Sequence, residues 1–155
     1  MTTASAPSLL HVALQDLHAG KADQADRLPA IAARCTDPAL SQLLSAEAER
    51  AAAQGARLRE AGVEVSGPAN LWMRGILDDA ERDGRSTQPG RLLDIALTGA
   101  IRKAKAAEIV SEETAMALAR EVGTADLLAI VSANRDEEIA TDRLLKERLA
   151  AFTGG

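Results

Sequence analysis

The chain has 155 residues, a formal net charge of −5 and 46% hydrophobic residues, but one Trp, one Phe and no Tyr. That length suits one domain, 1–155 with 1–7 as a flexible lead-in, and a core so poor in aromatics must be built from Leu, Ile, Val, Met and Ala. Interspersed acidic charge without a basic face or stacking rings excludes a nucleic-acid surface, and no run approaches the ~20 apolar residues of a membrane span.

The spacing predicts a first helix from Ser8, its cap, to about Arg34, with Pro29 kinking or breaking it. Thr36, Asp37 and Pro38 read as a cap followed by proline in the first turn, and Gly62 closes the second helix. A loop over 63–69 leads to a short amphipathic helix from Leu71 to Arg82, and 83–89 is polar and turn-rich. The third long helix runs from Gly90 or Arg91 to Val122 and ends at Gly123, and Thr124 or Asp126 opens the fourth. No stretch alternates as a strand does. Connections that run tight, long, tight give an all-α, antiparallel four-helix bundle with one crossover and a short extra helix within it, between the second and third long helices.

Each long helix carries an apolar stripe that turns polar in the middle. The first reads Leu10, Leu14, Leu17, Lys21, Gln24, Leu28 and Ile31, and the second Leu40, Leu44, Glu47, Ala51, Gln54, Leu58 and Ala61. The third reads Leu93, Leu97, Ala100, Ala104, Glu108, Ser111, Ala115, Leu118 and Val122, flanked by Lys105. The fourth reads Leu128, Val131, Arg135, Glu138, Asp142, Leu145, Leu149 and Phe152. Steps of three and four place these side chains on single faces, and all four faces break at about the same height. In a four-helix bundle that height is where di-metal centres are built.

Asp16-Leu17 through Leu28-Pro29, then Asp37 to Leu40, Gln54-Gly55, Ala107 to Ile109 and Glu137 to Asp142 together resemble the YciE/YciF family of ferritin-like stress proteins. The resemblance covers about Leu10 to Phe152 and implies a ferritin-like four-helix bundle, a homodimer and a loose association with stress responses. It implies no known reaction.

The departures from the family pattern are specific. The family's Asp-Ala-Glu-Lys-Gln run falls on Ala19 to Asp23, so Lys21 stands where the family has glutamate. Its His-Leu-Glu-Glu-Thr falls on Glu49 to Ala53, and its Glu-His-Tyr-Glu on Lys105 to Glu108. Di-iron and di-manganese centres need several carboxylates and usually two Glu-x-x-His pairs, and this chain has neither pair. His11 and His18 lie two turns apart on one helix, about 10 Å by the helix rise, too far to share one ion.

The expectation is a non-catalytic protein without a metal cofactor, in which Lys21 and Lys105 replace the metals. The degenerate site positions are Lys21, Glu47, Gln54, Lys105, Glu108, Glu138 and Asp142. The alternative is an iron or manganese protein for storage or oxidoreduction, using Glu47, Glu108, Glu138 and Asp142. Leu71, Trp72, Ile76 and Leu77 are expected to offer a dimer contact. The lone Cys35 reads as a structural thiol, and the start of the chain, lacking a basic and apolar leader, suggests a cytoplasmic protein.

Overall fold

The computed structural model describes residues 3–154. Among them are α1 (Ala6–Ala32), α2 (Pro38–Glu60), α3 (Leu71–Ser86), α4 (Arg91–Val122) and α5 (Ala125–Thr153), and no strand. α1 and α2 form one antiparallel hairpin, α4 and α5 the other, and the hairpins meet through α1 on α4 and α2 on α5. α3 lies in the crossover, packed on α4 and α1. None of the described helices is long and apolar enough to cross a membrane.

Local signals set most of the helix ends. Asp37 caps α2 by accepting from the Leu40 N–H at 2.8 Å, and Gly62, at φ +90°, supplies the left-handed turn beyond it. Gly123 does the same after α4. α1 starts earlier than Ser8: Ser5 is the cap, and Ser5 and Ser8 accept from each other's backbone N–H, so Ser8 is the third residue of a capping box. The expected flexible lead-in therefore already contains helix at Ala6 and Pro7, while residues 1–2 lie outside the described residues.

α1 also continues through Pro29 for three more residues. The proline forgoes one backbone hydrogen bond, but Leu28 and Ile31 on either side are buried in the core, and that packing holds the turn. α3 extends to Ser86, four residues past the expected end. Gly84 is buried there, with its carbonyl accepting from the Arg34 guanidinium, so contact with the turn that follows α1 extends a helix that local propensity would stop.

Two buried hydrogen-bonding residues dock the connections. Asn70 caps α3 through its Oδ1 to the Met73 N–H, and its Nδ2 donates to the Asp16 carbonyl of α1. This requires glycine at position 20, because a Cβ there would meet the Asn70 amide nitrogen at 2.7 Å. Asp94, in the first turn of α4, accepts from the Thr36 N–H, the Thr36 hydroxyl and the Asp37 N–H at 2.8–2.9 Å and so holds the α1–α2 turn. Asp94→Ala strips three donors of their acceptor and is expected to cost about 2–3 kcal/mol in chemical denaturation, with Asp94→Asn costing less.

The core divides in two. Leu28, Ile31, Leu40, Leu44, Met73, Leu77, Leu93, Leu97, Ile101 and Leu145 fill one end of the bundle. Leu10, Leu14, Leu17, Leu58, Ala115, Met116 and Val131 fill the other. Between these clusters lies a buried polar layer. The apolar face expected on α3 is narrower than its sequence suggests: Leu77 is in the core, and Trp72 packs on it with its indole N–H on Asp16, leaving Leu71 as the strongly exposed apolar residue.

Candidate functional site

The buried layer is made by Lys21 and Gln24 of α1, Glu47 and Gln54 of α2, Lys105, Glu108 and Glu112 of α4, and Asn134, Glu138 and Thr141 of α5, each at most 1% exposed. Because the stripes of four helices turn polar at one height, these groups meet each other and not water, and mutual pairing offsets part of their desolvation.

Two ammonium groups organise the layer. The Lys21 Nζ donates to Glu108 Oε2 through a short contact and to Glu112 Oε1 at 2.7 Å, with Glu138 Oε1 at 3.5 Å. The Lys105 Nζ lies 2.5 Å from Glu47 Oε1, 2.6 Å from Glu138 Oε2, 2.8 Å from Gln24 Oε1 and 3.1 Å from Glu108 Oε1. Gln24 completes the bridge by donating from Nε2 to Glu108 Oε1 at 2.6 Å. On the α2–α5 side, Glu47 Oε2 accepts from the Thr141 hydroxyl and from the half-buried Arg50, both at 3.0 Å.

Electrostatics set burial against the ammonium groups that each carboxyl faces. Burial alone would depress both lysines, but for Lys21 the carboxylates of Glu108, Glu138 and Glu112, and for Lys105 those of Glu108, Glu138 and Glu47, outweigh it, so both pKa values are raised. Burial pushes Glu138 up, yet Lys105 and Lys21 together hold it down at about 2. Glu112 has Lys21 alone, and burial wins there, pushing it up to about 7. Burial also keeps Glu47 above the usual carboxylate range against the pull of Lys105. Gln54 lies close enough to Glu138 to help lower its pKa, although neither of its amide atoms has a hydrogen-bond partner of good geometry.

Six of the seven expected site positions are in this layer, and Lys105, placed beside its stripe by the sequence, is fully buried within it. Asp142 is not: it forms a paired contact with Arg102 at 2.8 and 3.2 Å on the outer α4–α5 surface, because the inward position on α5 is taken by Thr141. On α4 the inward residue after Glu108 is Glu112, not Ser111. Glu112 is the carboxylate that the stripe omits: its spacing of four from Glu108 fits the inward face as well as the spacing of three at Ser111, so spacing alone does not choose between them.

The donor set does not fit a di-metal centre. Glu108, Glu112 and Glu138 bring one oxygen each to within 4.8 Å of one another, a geometry that could hold a cation, but all three face the Lys21 ammonium. Neither histidine joins them. His18 packs beside Gly55, its pKa lowered by burial and by Arg59, and the half-exposed His11 lies 3.5 Å from Glu64. Cys35 is half-buried with its thiol donating to the Ile31 carbonyl, and burial, with Asp94 and Asp37 nearby, raises its pKa to about 12, which leaves it a poor nucleophile.

The same architecture recurs in solved structures. The Escherichia coli stress protein YciF superposes with a TM-score of 0.93 over 98% of this chain and 99% of its own, at 22% identity, which shows a shared ferritin-like fold. YcfI from Rhodopseudomonas palustris superposes with a TM-score of 0.85 over 92% of this chain and 94% of its own, at 26% identity. A comparison with curated proteins found no match. The family model described as a domain of unknown function (DUF892) matches residues 5–153, and the chain therefore belongs to that family, the ferritin-like YciE/YciF group its sequence resembles.

Proposed function

We propose that this chain is a metal-free, non-catalytic member of its family, in which a Lys/Glu charge cluster stands in place of a di-metal centre and the bundle acts as a structural or interaction module in a stress response. One observation carries the reading: the Lys21 Nζ lies among Glu108, Glu112 and Glu138, where a cation held by those carboxylates would lie. An ammonium so placed supplies the compensating positive charge and repels a divalent ion from the same position. Lys105 does the same for Glu47 and Glu138. The stress context comes from YciF, described as a stress protein, and the structural role is in line with YcfI, for which such a role has been proposed. Self-association as a homodimer belongs to the same proposal.

Elemental analysis of protein purified from cells grown with added iron and manganese tests it. The expected result is far less than one equivalent of iron, manganese or zinc per chain. A metal near one equivalent that is lost in Glu108→Gln would refute the reading in favour of a carboxylate metal protein for storage or oxidoreduction.

A further inference from the structure

The polar layer holds more acid than base. Glu47, Glu108, Glu112 and Glu138 face Lys21, Lys105 and Arg50, so with every group ionised one negative charge is left over in a region shielded from water. The surplus is not spread evenly. Glu108 receives Lys21 on one oxygen and Gln24 and Lys105 on the other. Glu47 receives Lys105 on one oxygen and Thr141 and Arg50 on the other. Neither oxygen of Glu138 meets a donor in good hydrogen-bond geometry, but it has two ammonium groups beside it, Lys105 at 2.6 Å and Lys21 at 3.5 Å. Glu112 receives Lys21 on Oε1, and its Oε2 is buried with no donor at all.

A buried carboxylate oxygen without a donor, beside two further carboxylates, is a poor place for negative charge and a good place for a proton. The neighbouring Glu108 and Glu138 each bring an oxygen to within 4.8 Å of a Glu112 oxygen, so a negative charge on Glu112 would add to theirs. A proton also needs no volume. Four surface clefts, one beside Arg34 and Gly84 among them, are lined by other residues and include no member of this layer.

We infer that Glu112 is a proton-binding site: folding takes up one proton from solvent onto Glu112 Oε2, which neutralises the surplus negative charge of the cluster. The inference rests on the metal-free reading of the cluster. The charged groups that face Glu112 are Lys21 from α1, Glu108 on its own helix and Glu138 from α5, while α2 brings the uncharged Gln54 against Glu138. Burial pushes Glu112 up to about 7, which agrees with the geometry. Burial raises Glu47 as well, but its two oxygens are met by three donors, so the proton resides on Glu112.

The sign of the pH dependence follows. A carboxyl whose pKa is higher in the folded than in the unfolded state stabilises fully below the unfolded value, near 4.5, and loses that contribution as pH rises through about 7. The depressed Glu138 behaves oppositely, losing its contribution only as pH falls from 4.5 toward about 2. The raised lysines titrate above this window.

The test is carboxyl carbon-13 NMR on the full chain, joined to chemical denaturation across pH 5 to 8 and elemental analysis of the same sample. One glutamate carboxyl is expected to titrate within about a unit of pH 7 and to vanish in Glu112→Gln. Relative to Glu112→Gln, which should remain folded, the folding equilibrium constant of the unmutated protein should fall by up to roughly tenfold per pH unit between about 5 and 7, the contribution of this one carboxyl. No glutamate titrating above about pH 6, or an unchanged slope in Glu112→Gln, would overturn the proton site in a metal-free sample and leave the charge-replacement reading standing. A metal-loaded sample would overturn both.

Discussion

Replacing Lys105 by Ala is expected to destabilise the bundle by ~3–5 kcal/mol, the cost of leaving buried charges without their partner. Lys105 is fully buried, and its ammonium is the group that ties α4 to α1 through Gln24, to α2 through Glu47 and to α5 through Glu138. Without it Glu47 keeps Thr141 and Arg50, but Glu138 retains only Lys21 at 3.5 Å. Glu138 would then lose much of the interaction that holds its pKa at about 2 and would take up a proton within the range of ordinary buffers. The loss should therefore be smaller at pH 5 than at pH 8, because protonation relieves part of the unpaired charge. Urea denaturation at the two pH values measures it, and an effect below about 0.5 kcal/mol, the scale of ordinary surface substitutions, would mean that the lysine reaches solvent. Lys105→Met should be nearly as costly as Lys105→Ala, since shape is not what the site loses.

Much of this fold was legible. On α1 all seven stripe residues, from Leu10 to Ile31, are buried. On α2 the stripe holds from Leu40 to Leu58 and fails only at Ala61, which lies past the helix end. The failures on α4 and α5 share a cause. After an inward residue, positions three and four further on deviate to either side of the same face, because successive residues turn by about 100°. Ser111 and Glu112 compete in this way after Glu108, and Asp142 competes with Thr141 around Glu138. A pattern read on one helix assigns the smaller or less charged residue of α4 inward, since lone charges face water. What overrides that rule at Lys105 and Glu112 is a partner on another helix, and a partner on another helix leaves no trace in the local spacing.

The helix ends divide along the same line. Asp37-Pro38 and Gly123 carry their signals locally and lie where expected. The continuation through Pro29, the last turn of α3 and the Asp94 clamp on the α1–α2 turn depend on contacts 50 or more residues away for α3 and Asp94 and on core packing for Pro29. Local propensity cannot anticipate such contacts.

Lys21→Ala is expected to cost ~3 kcal/mol or more, and the way in which that loss can be recovered separates charge replacement from simple packing. Three carboxylates share the Lys21 ammonium, but they depend on it unequally. Glu108 is also held by Gln24 and Lys105, and Glu138 by Lys105, whereas Glu112 has Lys21 as its only donor. At pH 8, above the value near 7 at which Glu112 gives up its proton, Glu112 is therefore the group stranded by the substitution, and the comparison is made there. Lys21→Met combined with Glu112→Gln removes a buried cation and its most dependent carboxyl together, and should recover well over half of the loss seen in Lys21→Met alone. Lys21→Met with Glu138→Gln should recover less, because Glu138 would still have had Lys105. If packing of the lysine stem were what mattered, Met would substitute for Lys with little cost and neither glutamine would change the result. Lys21→Glu, which restores the residue of the family pattern, adds a fifth carboxylate to the layer and should destabilise the protein further than Met in the absence of metal. Added manganese should then raise the stability of Lys21→Glu and leave the unmutated protein unchanged, since only the variant offers Glu108, Glu112 and Glu138 without an ammonium between them. A double variant no more stable than Lys21→Met would show that the lysine does not serve as the counter-charge of this layer.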